Sequence, residues 1–106
     1  MPIETIRNRE HLELFLDEDQ LVFVAALKAD FQPGDLEFER IAQENNEGKC
    51  SFAKFIVEET PDVVDDFECN DDATVVTFVG GQKEETVAGF EPSKWEDMVK
   101  KWIEIV

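Results

Sequence analysis

The seven residues Leu21 to Leu27 form a continuous apolar run, and a breaker cluster of Gln32, Pro33 and Gly34 comes shortly after it. A run of that length without polar alternation predicts a strand covered on both faces, because a half-exposed strand would alternate. Such a strand belongs in the middle of a sheet with helices on either side, and the flanking segments fit that requirement. Ile3 to Ile6 reads as a short strand, and Asn8 is placed to cap a helix whose Leu12, Phe15 and Leu16 share one face. After the breaker, Asp35 is a candidate N-cap for a helix presenting Leu36, Phe38, Ile41 and Ala42 to the core, with Pro33 and Gly34 delaying its start.

The second half continues the alternation. A loop from Asn45 to Lys49 leads to a strand from Ser51 to Val57, and Thr60 with Pro61 marks the start of a short helix running to about Phe67. Two β-rich runs, Thr74 to Val79 and Glu84 to Ala88, flank Gly80, Gly81, Gln82 and Lys83, a hairpin signal. Ser93 and Glu96 form a capping-box pattern before Trp95, Met98, Val99, Trp102, Ile103 and Val106, which recur at helical spacing. The expected architecture is α/β, one mixed sheet with helices on both faces, in a single domain spanning residues 1–106.

Charge narrows the function classes. Twenty-six acidic against ten basic residues give a net charge of -16, which repels phosphate backbones and anionic lipid headgroups. Nucleic acid and membrane surfaces are therefore excluded as partners, and no apolar run approaches the roughly 20 residues of a membrane span. The first thirteen residues lack the apolar centre of a signal peptide, so a chain that begins at Met1 is expected in the cytosol.

Across nearly its whole length the chain resembles thioredoxins, which carry a buried strand, then Trp-Cys-Gly-Pro-Cys, then an amphipathic helix. Aligned without a gap, Leu27 takes the Trp position, Lys28 the first Cys, Ala29 and Asp30 the Gly-Pro, and Phe31 the second Cys; the buried Asp beneath the dithiol falls on Val22. Phe52 matches the Phe of the next strand, one inserted residue after it puts Thr74 where the family has its cis-Pro, and Gly81 and Gly89 match the hairpin glycine and the glycine before the last helix. The resemblance implies a thioredoxin fold without its dithiol. Among such domains the b-type domains of protein disulfide isomerases are the nearest in pattern, through the string Phe38, Glu39, Arg40, Ile41, Ala42 and the ending Trp102, Ile103. An excised domain of that kind would belong in the endoplasmic reticulum lumen.

Thiol-disulfide exchange needs a thiolate attacker and a second thiol in reach, and neither Lys28 nor Phe31 supplies one. Lys28 as an amine catalyst would need desolvation that nothing in the sequence indicates. The expectation is thus no enzyme activity and no cofactor. The resemblance implies instead a protein or peptide partner in the groove where the turn after the second strand meets the cis-Pro loop, here lined by Leu27, Lys28, Phe31, Ala73 and Thr74. The bland alternative is that Leu27 and Phe31 simply plug the vacated site. The Ala73 to Thr74 bond is expected to be trans, since cis costs about 2.5 to 4 kcal/mol without proline.

Two further readings stand beside this one. Glu58 to Asp72 holds eight acidic and no basic residues, and so suggests weak, high-capacity Ca²⁺ binding similar to calsequestrin repeats, although the spacing is not that of an EF-hand. A solvated acidic face is the plainer reading of the same run. Cys69 could act as a single redox thiol, but Glu68, Asp71 and Asp72 beside it should raise its pKa. On the thioredoxin topology Cys50 and Cys69 lie toward opposite ends of the sheet, which disfavours an internal disulfide. His11, the one histidine, has no second ligand nearby for zinc and is expected on a helix surface, and Trp95 and Trp102 are assigned to packing.

Overall fold

Leu21 to Leu27 is the strand β2, and all seven of its residues are buried. It runs parallel to β3 (Ser51–Ile56) on one side and antiparallel to β4 (Ala73–Val79) on the other. A short strand β1 (Ile3–Thr5) pairs parallel with β3, and β5 (Gln82–Ala88) pairs antiparallel with β4, giving one mixed sheet in the order β1-β3-β2-β4-β5. The computed structural model describes residues 3–18, 20–45, 50–64 and 73–105.

Alternation along β2 divides the interior into two cores. Leu21, Phe23, Ala25 and Leu27 face α2 (Gln32–Glu44) and α4 (Pro92–Ile105), where Phe38, Ile41, Trp95, Met98 and Val99 are buried. Val22, Val24 and Ala26 face the other layer, packed with Leu12 of α1 (Arg9–Glu18) and Val63 of α3 (Pro61–Val64). The two-sided burial expected of this strand is what the sheet achieves. Among the described residues, no helix is long and apolar enough to cross a membrane.

Local signals account for most of the boundaries. Asn8 Oδ1 accepts the His11 N–H at 2.8 Å and caps α1. Gly80 and Gly81 have φ of 59° and 83°, so the two-residue turn between β4 and β5 needs left-handed backbone at both positions, which only glycine adopts without strain. Pro61 opens α3 as expected, but the Thr60 hydroxyl donates back to the Ile56 carbonyl at 2.8 Å instead of capping the helix. In the same way α4 begins at Pro92, where a missing N–H costs nothing, so Ser93 lies inside the helix and the expected capping box does not form.

Two expectations for α2 are corrected. The helix starts at Gln32 with Phe31 as its N-cap, so Asp35 is not the cap and Pro33 does not delay it; proline within the first turn loses no intrahelical bond. Leu36 is 64% exposed instead of core-facing, because it sits two residues, about 200° of helical rotation, from Phe38. Gly34 takes the buried place on that face.

Charged contacts tie helices to strands. Lys54 on β3 reaches Asp35 at 2.6 Å and Glu39 at 3.3 Å on α2. Burial pulls the Lys54 ammonium down, but its bonds to the two carboxylates outweigh this and hold it above its ordinary pKa. At the β5 edge of the same face, Glu85 accepts from Lys101 Nζ at 2.5 Å and from Trp102 Nε1 at 2.8 Å, so Trp102 packs and also anchors α4.

The Lys101 hydrogen bond keeps the Glu85 carboxyl below its ordinary value of 4.5. A depressed carboxyl contributes stability that is complete above the unfolded pKa and is lost as pH falls through the folded one. Acidification also relieves the self-repulsion of a chain of charge -16, so wild-type stability alone does not isolate the contact. Glu85→Gln should lower the melting temperature at pH 7, with the gap to wild type narrowing as pH falls below 4.5. Melting curves across that range check this; an equal gap at both ends would mean the contact carries no electrostatic stabilisation.

Candidate functional site

The carboxyl ends of β1, β3 and β2 lie together at one end of the sheet, and the chain leaves β2 and β3 toward opposite faces: β2 feeds α2, while β3 feeds α3 through a 3-10 turn, Val57–Glu59. Neighbouring strands with opposite exits open a crevice where α/β sheets tend to bind ligands. Here a side chain bridges that crevice. Glu58 Oε1 accepts the Ala29 N–H at 3.0 Å, joining the turn after β3 to the turn after β2.

The turn after β2 is closed by the Phe31 N–H donating to the Lys28 carbonyl at 3.0 Å. Lys28 and Phe31 are both half-buried, whereas Ala29 and Asp30 are exposed. The Phe31 ring meets Phe90 edge-on, with centroids 5.0 Å apart and planes at 83°. Phe90 in turn packs edge-on against Trp95, which meets Phe38, and Phe38 meets Phe52. A line of aromatic rings therefore runs from the surface at Phe31 and Phe90 into the core. Offset and edge-on pairs of this kind contribute about 0.5–1.5 kcal/mol each beyond their area burial, so the surface rings are held in fixed positions.

The expected groove lining is corrected at three positions. Leu27, Ala73 and Thr74 gather at this end of the sheet, with Leu27 opposite Ala73 in the β2–β4 register, but all three are at most 1% exposed and cannot line an open groove. The Ala73 carbonyl is occupied by the Gly89 N–H at 2.8 Å, and the Ala73–Thr74 bond is trans as expected. Phe31 and Lys28 reach the surface, and Phe90, 39% exposed, joins them. Sequence reasoning misses Phe90 because its neighbourhood reads only as a connection, yet a large apolar residue between Gly89 and Glu91-Pro92 is the signal that could have found it.

Other candidates fall elsewhere. Cys50 is half-buried, its Sγ donating to the Asn45 carbonyl at 3.8 Å. Cys69, the loop 46–49 and the acidic stretch 65–72 lie outside the described residues. Of the acidic run, Glu58 is bound to Ala29 and Asp62 accepts the Arg9 N–H at 2.9 Å; among the described residues no three acidic, His or Cys side chains cluster to hold a metal ion. His11 sits on α1, its Nδ1 accepting the Arg7 N–H and its Nε2 3.5 Å from Glu4.

No family model and no curated protein matches the chain. Solved structures do. Thioredoxin of Plasmodium falciparum superposes with a TM-score of 0.84 at 16% identity, covering 93% of this chain and 98% of the other. Malassezia sympodialis thioredoxin gives 0.83 at 22% identity, covering 93% and 89%, and mitochondrial thioredoxin 3 of Saccharomyces cerevisiae gives 0.83 at 18%, covering 93% and 94%. The chain has the thioredoxin fold.

The position of Phe31 depends on Gly34. A Cβ there would stand 2.9 Å from Phe31 Cδ2 and 3.3 Å from Leu27 Cδ2, and Leu27 is fully packed, so Phe31 must move. Gly34→Ala gains about 1 kcal/mol of helix propensity and gives up an aromatic contact of similar size. Stability should change by less than about 1 kcal/mol, while the nuclear Overhauser contact between the two rings disappears. A retained ring contact in the folded variant would contradict this account of the turn.

Proposed function

We propose that this domain is a redox-inactive thioredoxin-fold module that binds a protein or peptide segment through the surface formed by Phe31 and Phe90. The observation that carries the reading is the phenyl ring that stands in place of sulfur at the N-cap of α2, half-exposed and packed edge-on against a second exposed ring. Forming a mixed disulfide requires a thiolate in this turn, and resolving it requires a second thiol. Lys28 and Phe31 stand at those positions. What the turn offers in their place is two aromatic faces held by packing, a type of anchor that dominates recognition energetics when a partner covers it.

Lys28, Asp30 and Glu58 around the rings supply charges of both signs beside the apolar centre, the usual arrangement of a polar rim. The calcium-binding and single-thiol alternatives depend chiefly on residues 65–72, and no described contact favours either.

The domain should show no insulin reduction in the presence of a thiol reductant. Titrated with a mixed pool of apolar and aromatic peptides, it should give amide shifts at 28–31 and 89–91. Phe90→Ala should weaken the binding of a selected peptide at least roughly fivefold, equivalent to about 1 kcal/mol, with the fold retained. Insulin reduction by the domain, or shifts that spare both segments, would sink the reading.

A further inference from the structure

A second cavity opens at the same end of the sheet, on the far side of β3. It has a volume of about 230 Å³ and is lined by Thr5, Ile6, Arg7, Ile56, Glu59 and Thr60. Among the described residues, every basic side chain has a partner except that of Arg7, whose guanidinium makes no hydrogen bond or ion pair. In a chain with 26 acidic residues an unpaired guanidinium is an exception. Glu59, exposed on the 3-10 turn, likewise has no partner among the described residues and does not pair with Arg7 across the cavity they share.

The cavity is thus lined by one positive and one negative residue, each without a partner among the described residues, beside the half-buried Ile56. A guanidinium fork suits a carboxylate, and a carboxylate suits an ammonium. The field of the whole chain limits the choice further, since a net charge of -16 opposes the approach of an anion and leaves a net-neutral ligand unopposed. The volume is below the roughly 300–1,000 Å³ of pockets for drug-sized ligands, which restricts the ligand to a small molecule. We infer that this cavity binds a small zwitterion, a free apolar α-amino acid whose carboxylate meets Arg7, whose ammonium meets Glu59 and whose side chain rests on Ile56.

The test is an amide NMR titration of the whole chain with three probes of similar size: L-leucine, 4-methylpentanoate, which lacks the ammonium, and 3-methylbutylamine, which lacks the carboxylate. Leucine should give saturable shifts at 5–7 and 56–60, and each singly charged probe should bind at least roughly tenfold more weakly, the factor that one charge-assisted contact supplies. Arg7→Gln and Glu59→Gln should each weaken leucine binding by a similar factor, and unchanged amide dispersion elsewhere reports that the fold is intact. The inference is overturned by an absence of saturable leucine shifts in these segments, by leucine binding that survives Arg7→Gln, or by 4-methylpentanoate binding as tightly as leucine, which would mark a plain anion site.

Discussion

Complete burial of β2 is the constraint on which the other elements depend. Its backbone is satisfied by β3 on one edge and β4 on the other, and its side chains feed both cores. A seven-residue strand with no exposed face needs a helical layer above and below, because either face left open would hold three or four apolar side chains in water. That requirement explains why α2 and α4 pack on one side and α1 and α3 on the other. It also explains why the one charged residue that β3 turns toward the α2 side, Lys54, is met there by two carboxylates: beside Ala25 in the sheet register, its ammonium has little water and must find its solvation in Asp35 and Glu39.

The same constraint shapes the end of the sheet. Because β2 enters the turn as a buried strand and leaves it as α2, the residue at the helix N-cap is carried to the surface from a fully packed base. In this chain that residue is Phe31, so the position receives an apolar ring supported by Phe90 and, through Trp95, by the core. A ring at this point has no covalent chemistry. Its supported position gives a rigid contact surface, which loses little side-chain freedom when covered.

How much of this is legible in the sequence differs by the physical origin of each feature. The buried strand, the closing helix and the glycine hairpin are legible because periodicity and positive φ leave direct traces in residue type. The start of α2 is not, since Pro33 and Gly34 look like a break when read alone; the proline is tolerated in a first turn, and the glycine is required by the close approach of Phe31 and Leu27, a tertiary contact. The end of the sheet at which the expected site residues gather is legible, but which of them reach the surface is not. Leu27, Ala73 and Thr74 do reach the right end of the sheet, yet whether they face solvent depends on what covers them, and pattern carries no record of that. Arg7 is the extreme case, because nothing in the sequence tells which cation finds no carboxylate among the described residues.

The two sites meet at one short element. The 3-10 turn Val57–Glu59 leaves β3 between its neighbours β1 and β2, and its adjacent carboxylates serve opposite sides: Glu58 holds the Ala29 N–H beneath Phe31, while Glu59 lines the cavity shared with Arg7. A ligand of the proposed cavity would draw on the same turn that positions Glu58, and a partner on the proposed Phe31 surface would press on it from the other side. Coupling of this kind needs no long pathway, since a single three-residue turn touches both. The carboxyl ends of β2 and β3 are where the chain diverges to the two faces, so the turn that lies between the two surfaces also sits at the switch point of the sheet.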